Sequence, residues 1–335
     1  MWNFVGNEHA VELLNKSVTK GLVSHAYLFS GPSNVGKTTL AIKFAQFIEC
    51  RNLLIDGPCG TCLSCWKISE GNHPDVQFID VDSEKTISGN VSSIGIDDVR
   101  NIQRTFVLKP LEGKHRIFIL REASLLSDAA SNALLKWIEE PPPNVIFLLV
   151  TNNYFAIKST IISRCQVVTF THVAQDKIES TLAQFSNSDH QQRKELSKLS
   201  KGSIGWAIRA SENPEIIEDY KNNIHIASAL LENDLETRLK YAQSMDSMFK
   251  YNKEEAIKNL EILLSWWRDV MIVKNGLQDS VLNVFALDVL ISHSSMMSNY
   301  QILMFIHKVS ETIELLKSNV NSRLVLDSLV LSLPG

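Results

Sequence analysis

Gly31-Pro32-Ser33-Asn34-Val35-Gly36-Lys37-Thr38, inside LFSGPSNVGKTTLAIKFAQFIEC (residues 28–50), has the G-x-x-x-x-G-K-[ST] spacing that cradles phosphate. In such a loop the backbone N–H groups point at phosphate oxygens, and the next helix aims the positive end of its dipole there. Lys37 would reach the β- and γ-phosphates and Thr38 would hold Mg2+; the nucleotide-binding stretch runs from Gly31 to Thr39. Asn34 stands where glycine is common, and Asn is the next-best residue for a left-handed backbone. The flanks decide the fold: the apolar run AYLFS (26–30) reads as a strand and TTLAIKFAQFIE (38–49) as a helix. Strand, loop and helix in that order are the first unit of an α/β protein.

Four more short apolar runs, VQFID (76–80), RIFIL (116–120), VIFLLV (145–150) and QVVTF (166–170), alternate with helical patterns. Runs that are apolar on both faces suit parallel strands joined by crossover helices. DAASNALLKWIEE is the clearest later crossover, and Pro141-Pro142-Pro143 ends it. Residues 1–170 are therefore expected to form a five-stranded parallel α/β core. Beyond about 171 only helical patterns remain. GSIG (202–205) breaks one helix and starts another, and ENPE (212–215) marks a second boundary. The expected organisation is a core (1–170), a small helical lid (171–212) and an all-helical domain (213–335).

The 335 residues, 44% hydrophobic and 21% charged, suffice for more than one buried core. A formal net charge of −4 excludes a global basic field aimed at nucleic acid. MWNFVGNEHAVELL has no uninterrupted apolar run, and no segment approaches the ~18–20 apolar residues of a membrane span, so a cytoplasmic protein is expected.

A phosphate loop that hydrolyses ATP needs a metal-holding carboxylate at the end of another strand. After RIFIL comes Arg121-Glu122, where two acidic residues would be expected. An arginine cannot ligate a cation and repels one, which speaks against a held Mg2+. Glu122 remains able to orient a water. The other reading places the metal ligand at Asp80 or Asp82, after strand 76–80.

Cys50, Cys59, Cys62 and Cys65 crowd into sixteen positions, while the rest of the chain holds only Cys165. Two C-x-x-C steps in a reducing compartment indicate a tetrahedral metal site, structural because four thiolates leave no open position. Zn2+ fits this set; an iron–sulfur cluster or free thiols are the alternatives.

HAYLFSGPSNVGKTT, CGTCLSC, GNHPDV, SNALLKWIEEPP and TIISRCQVVTF together resemble the clamp-loader ATPases (AAA+) of bacterial DNA polymerase III. WWRDVMI (266–272) and NSRLVLDSLVLSL (321–333) resemble the family's helical collar, the oligomerisation domain. The resemblance implies a hetero-oligomer of motor (gamma/tau) and delta subunits acting on a sliding clamp and primed DNA. It also implies that Thr151 and Asn152 lie where the γ-phosphate is sensed, and that Arg164 of Ser163-Arg164-Cys165 is an arginine finger reaching a neighbour's ATP. The motor branch hydrolyses ATP. The delta-prime branch often has a decayed site. Arg121, Gly205 in place of a phosphate-touching arginine, and a chain without a long extension past the collar all resemble the second; Arg209 is the candidate substitute for the missing arginine. A catalytically active motor ATPase is the alternative. His73-Pro74-Asp75 is read as a loop-holding element and Trp266-Trp267 as packing.

Overall fold

The computed structural model describes residues 2–54, 57–80, 94–95, 99, 108–185, 189–318 and 320–334; Asp82 lies outside them. Contacts divide the chain into two units, 1–208 and 209–335.

In the first unit, β1 (Ala26–Ser30), β2 (Val76–Ile79), β3 (Arg116–Leu120), β4 (Val145–Thr151) and β5 (Gln166–Thr169) form one parallel sheet, ordered β2-β3-β4-β1-β5. All five expected strands are present. Every residue of β1, β3 and β4 is buried, whereas the edge strands β2 and β5 are only partly so. That explains the unbroken apolar runs: the central strands have helices on both faces. Strand alternation splits the side chains between two cores. Tyr27, Phe29, Ile117, Ile119, Ile146 and Leu148 pack with α1 (Glu8–Thr19), α2 (Lys37–Glu49) and Trp2. Leu28, Phe118, Leu120, Phe147 and Leu149 face the opposite core, which α4 (Asp128–Glu139) closes. Ser127 caps α4 by accepting from Ala130 N (3.2 Å), and the chain leaves at Glu140 before the three prolines. The register Ser30↔Thr151 brings the ends of β1 and β4 level, so the phosphate loop and Asn152 emerge side by side. The short α3 (Leu63–Ser69) lies beside α2, and α5 (Ser159–Ile162) precedes β5. Helices Gln175–Phe185 and His190–Leu199 follow β5, the second begun by a capping box on Asp189.

The second unit is helical, built around the 22-residue helix Lys253–Lys274. Its Leu260, Leu263, Trp266, Trp267, Val270 and Val273 are all buried, and Trp267 packs at 4.4 Å on Phe305 of helix Asn299–Lys317. The tryptophan pair is core, as the helical spacing indicated.

Candidate functional site

The phosphate loop lies between β1 and α2, as its sequence requires. Gly31 sits at φ +153°, and a Cβ there would lie 2.4 Å from the Phe170 carbonyl oxygen, so only glycine fits against β5. Asn34 takes φ +59°, the left-handed conformation expected of it. Lys37, at the first position of α2, is buried. Its ammonium donates to Gly31 O (2.8 Å), to Pro32 O and to Asn152 Oδ1 (2.7 Å). Burial pushes it down to about 8, with the charge of Glu122 opposing. Two of its bonds tie the loop together, and the third reaches the end of β4.

Asn152 also donates from Nδ2 to Glu122 Oε1 (3.0 Å), linking the ends of β1, β4 and β3. Sequence-named Lys37, Asn152 and Glu122 therefore meet. Thr151 does not join them: it is fully buried, and its hydroxyl pairs with the backbone of Asn153 (3.0 Å).

Arg121 turns the other way. Its Nη1 lies 3.3 Å from Asp80 Oδ2, and its guanidinium stacks 4.6 Å over the Phe78 ring. Phe78 lies in β2, at the sheet edge away from β1, and Asp80 directly follows that strand. Asp80, the alternative metal ligand, pairs with Arg121 here, which the sequence reading did not anticipate.

The turn before helix Ile204–Glu212 meets the phosphate loop directly. Gly205 N donates to Asn34 O (2.8 Å), and Ser203 Oγ to Ser33 O (3.2 Å). A Cβ at Gly205 would lie 3.0 Å from Asn34 O, so glycine here permits a close approach. Arg209 falls in the second unit.

Arg164 follows α5 and is 38% exposed at its side chain. Its Nη2 lies 2.9 Å from Glu139 Oε1, and its Nη1 donates to Thr160 O (3.0 Å) and Ser163 Oγ (3.3 Å). Glu139 was not singled out from sequence, although its place just before the proline run was visible.

The four cysteines converge, with all four sulfurs within 4.8 Å of one another. Cys50 and Cys59 Sγ are 3.5 Å apart, Cys59 and Cys65 Sγ 4.0 Å. These separations are far too long for a disulfide. They match the ~3.8 Å edge of a tetrahedron built on metal–sulfur bonds of about 2.3 Å. Cys59 N donates to Cys50 Sγ (3.4 Å) and Cys62 N to Cys59 Sγ (3.3 Å), donors that favour thiolates. Backbone N–H groups of Thr61 and Cys62 lower Cys59 to about 6, while burial raises Cys65. The set is compatible with a bound cation, which would hold the four sulfurs as thiolates. Gln46 Nε2 of α2 donates to Cys65 O (2.8 Å), fastening the cluster to the phosphate-loop helix.

His73 and Asp75 hold a loop, as expected. His73 Nε2 pairs with Ser64 Oγ (3.2 Å), and the Asp75 carboxylate accepts from the N–H groups of Leu111, Glu112 and Gly113 (2.8–2.9 Å). Glu49 does the same for Lys114 and His115 (2.7 and 2.8 Å), a role with no sequence motif.

The sequence matches a family model described as DNA polymerase III, delta subunit, over residues 6–174, and one described as its C terminal over 226–334. DNA polymerase III subunit delta' of Bacillus subtilis is 28% identical over 326 residues, covering 96% of this chain and 94% of the relative. Subunit tau of Bacillus subtilis is 30% identical over 270 residues, covering 79% of this chain but 46% of the relative. Subunit tau of Escherichia coli is 30% identical over 232 residues, covering 68% and 35%. The chain spans less than half the length of these tau relatives and nearly all of the delta' relative.

Proposed function

Because the chain belongs to the DNA polymerase III delta-subunit family, we propose that it works as a delta-prime subunit of a bacterial clamp loader. In this reading it joins motor (gamma/tau) and delta subunits in the cytoplasm and helps place a sliding clamp on primed DNA. The observation that carries it is Arg121. The position that would present a carboxylate to a cation bears a guanidinium, turned to Asp80 just after the edge strand β2. Gly31 to Thr39 hold ATP or ADP, with Lys37 supplying the charge, but no side chain from β3 organises Mg2+. Glu122, bonded to Asn152, has no metal-activated phosphate to act on, so hydrolysis is poor. Arg164 supplies a guanidinium in trans to ATP on a neighbouring motor subunit. Zn2+ occupies the four thiolates and is structural, tying residues 50–65 to α2. In this reading the core, lid and collar span 1–170, 171–212 and 213–335.

A catalytically active motor subunit is the second reading, favoured by one observation: the Lys37–Asn152–Glu122 chain of hydrogen bonds is intact. Metal dependence separates the two. Calorimetric titration of the isolated chain with ADP should give the same affinity, within about twofold, in Mg2+ and in Mg2+-free buffer without chelator. A gain of tenfold or more from Mg2+ would restore a metal-organising site and favour the motor reading.

A further inference from the structure

Arg164 is not a loose surface charge. A guanidinium has five N–H donors. Nη1 donates two hydrogen bonds, to Thr160 O and Ser163 Oγ, and Nη2 makes an ion-pair contact with Glu139 Oε1 at 2.9 Å. Nε and Nη2 donate no hydrogen bond among the described residues, and that edge of a guanidinium can grip a phosphate in bidentate fashion. The acid beside this group closes a helix: Glu139 is the last residue of α4, and the three prolines follow one residue later.

A purely structural strap accounts poorly for the pair. Lys158 already ties the segment before α5 to the start of α4, at 2.8 Å from Asp128 Oδ1 and 3.1 Å from Asn132 Oδ1. Glu139 is 47% exposed at its side chain, and ion pairs in that setting add little stability. The Glu139 contact does constrain where the guanidinium points. A long, rotamer-rich side chain held in one orientation before its ligand arrives spares the ordering cost at the step that uses it.

We propose that Glu139 is the positioning residue for Arg164, holding the guanidinium so that its Nε and Nη2 edge meets the phosphates of a nucleotide carried by a neighbouring subunit. The proposal rests on the in-trans reading of Arg164 given above. The test is ATP turnover by the assembly reconstituted from motor subunits, delta subunit and this chain, with the clamp and primed DNA present. Glu139→Ala should lower kcat by roughly tenfold and leave KM within about twofold. Glu139→Asp should recover part of the loss, and the melting temperature of the isolated variant chain should be unchanged. In an Arg164→Ala background, Glu139→Ala should add no further loss. If Arg164→Ala leaves turnover intact, the in-trans reading fails and takes this proposal with it. If Arg164→Ala slows turnover while Glu139→Ala leaves it unchanged or speeds it, the finger stands and the positioning role is overturned. Equal losses from Glu139→Ala in both backgrounds overturn it too, because Glu139 would then act on the fold rather than through Arg164.

Discussion

Lys37 shows how burial and function pull against each other at a single residue. Its folded value of about 8 lies below the ordinary lysine value. Between that value and the unfolded one, the unfolded chain binds more protons than the folded chain. Stability from this group therefore rises with pH above 8 and is lost as pH falls through 8. Phosphate binding needs the opposite, the charged form. ATP affinity of the isolated chain should thus drop about tenfold from pH 7 to pH 9, where only about a tenth of a group titrating near 8 stays protonated. A fluorescent-nucleotide titration across that range checks it, and a flat profile would remove Lys37 from phosphate binding. Gly31→Ala pushes a methyl into the Phe170 carbonyl and should cost roughly 2–3 kcal/mol in urea unfolding. The loop was legible in the sequence because its residues are contiguous. Arg121 was legible as a departure, but its destination was not: the pairing with Asp80 depends on β2 lying next to β3, which no local pattern encodes. Glu139 escaped for the same reason, its partner being twenty-five residues away in the chain.

At the scale of elements, the strands were the most readable part. Each central strand is buried on both faces and so shows as an unbroken apolar run. The helix ending at the three prolines was nearly as clear. The carboxylates of Glu49 and Asp75, which organise residues 111–115 through backbone N–H groups, were not, because backbone partners leave no trace in side-chain identity. The cysteine cluster lies between these extremes: its spacing named the ligands, and folding brings the four sulfurs together. Purified chain should carry about one zinc per molecule by elemental analysis, with Cys59→Ser reducing that content. Chelation should lower the melting temperature by at least about 2–4 °C, the shift that ~1 kcal/mol produces in a domain of this size. A metal-free preparation with an unchanged melting temperature would refute the site.

Over the whole molecule, the two units have separate cores, and damage to one should be separable from damage to the other. Trp267→Ala removes a fully buried ring from the helical unit and should cost roughly 3–5 kcal/mol there. Zinc content and nucleotide binding, both properties of the first unit, should persist. Loss of both on Trp267→Ala would show that the units do not fold independently. The central claim joins two features of the first unit: a phosphate loop that binds and a β3 terminus that holds no cation. ATP turnover by the purified chain alone, compared with Lys37→Ala, tests it most directly. The account predicts turnover no higher than that of the Lys37→Ala variant, while the wild-type chain still binds nucleotide. Robust hydrolysis that disappears in Lys37→Ala would contradict it.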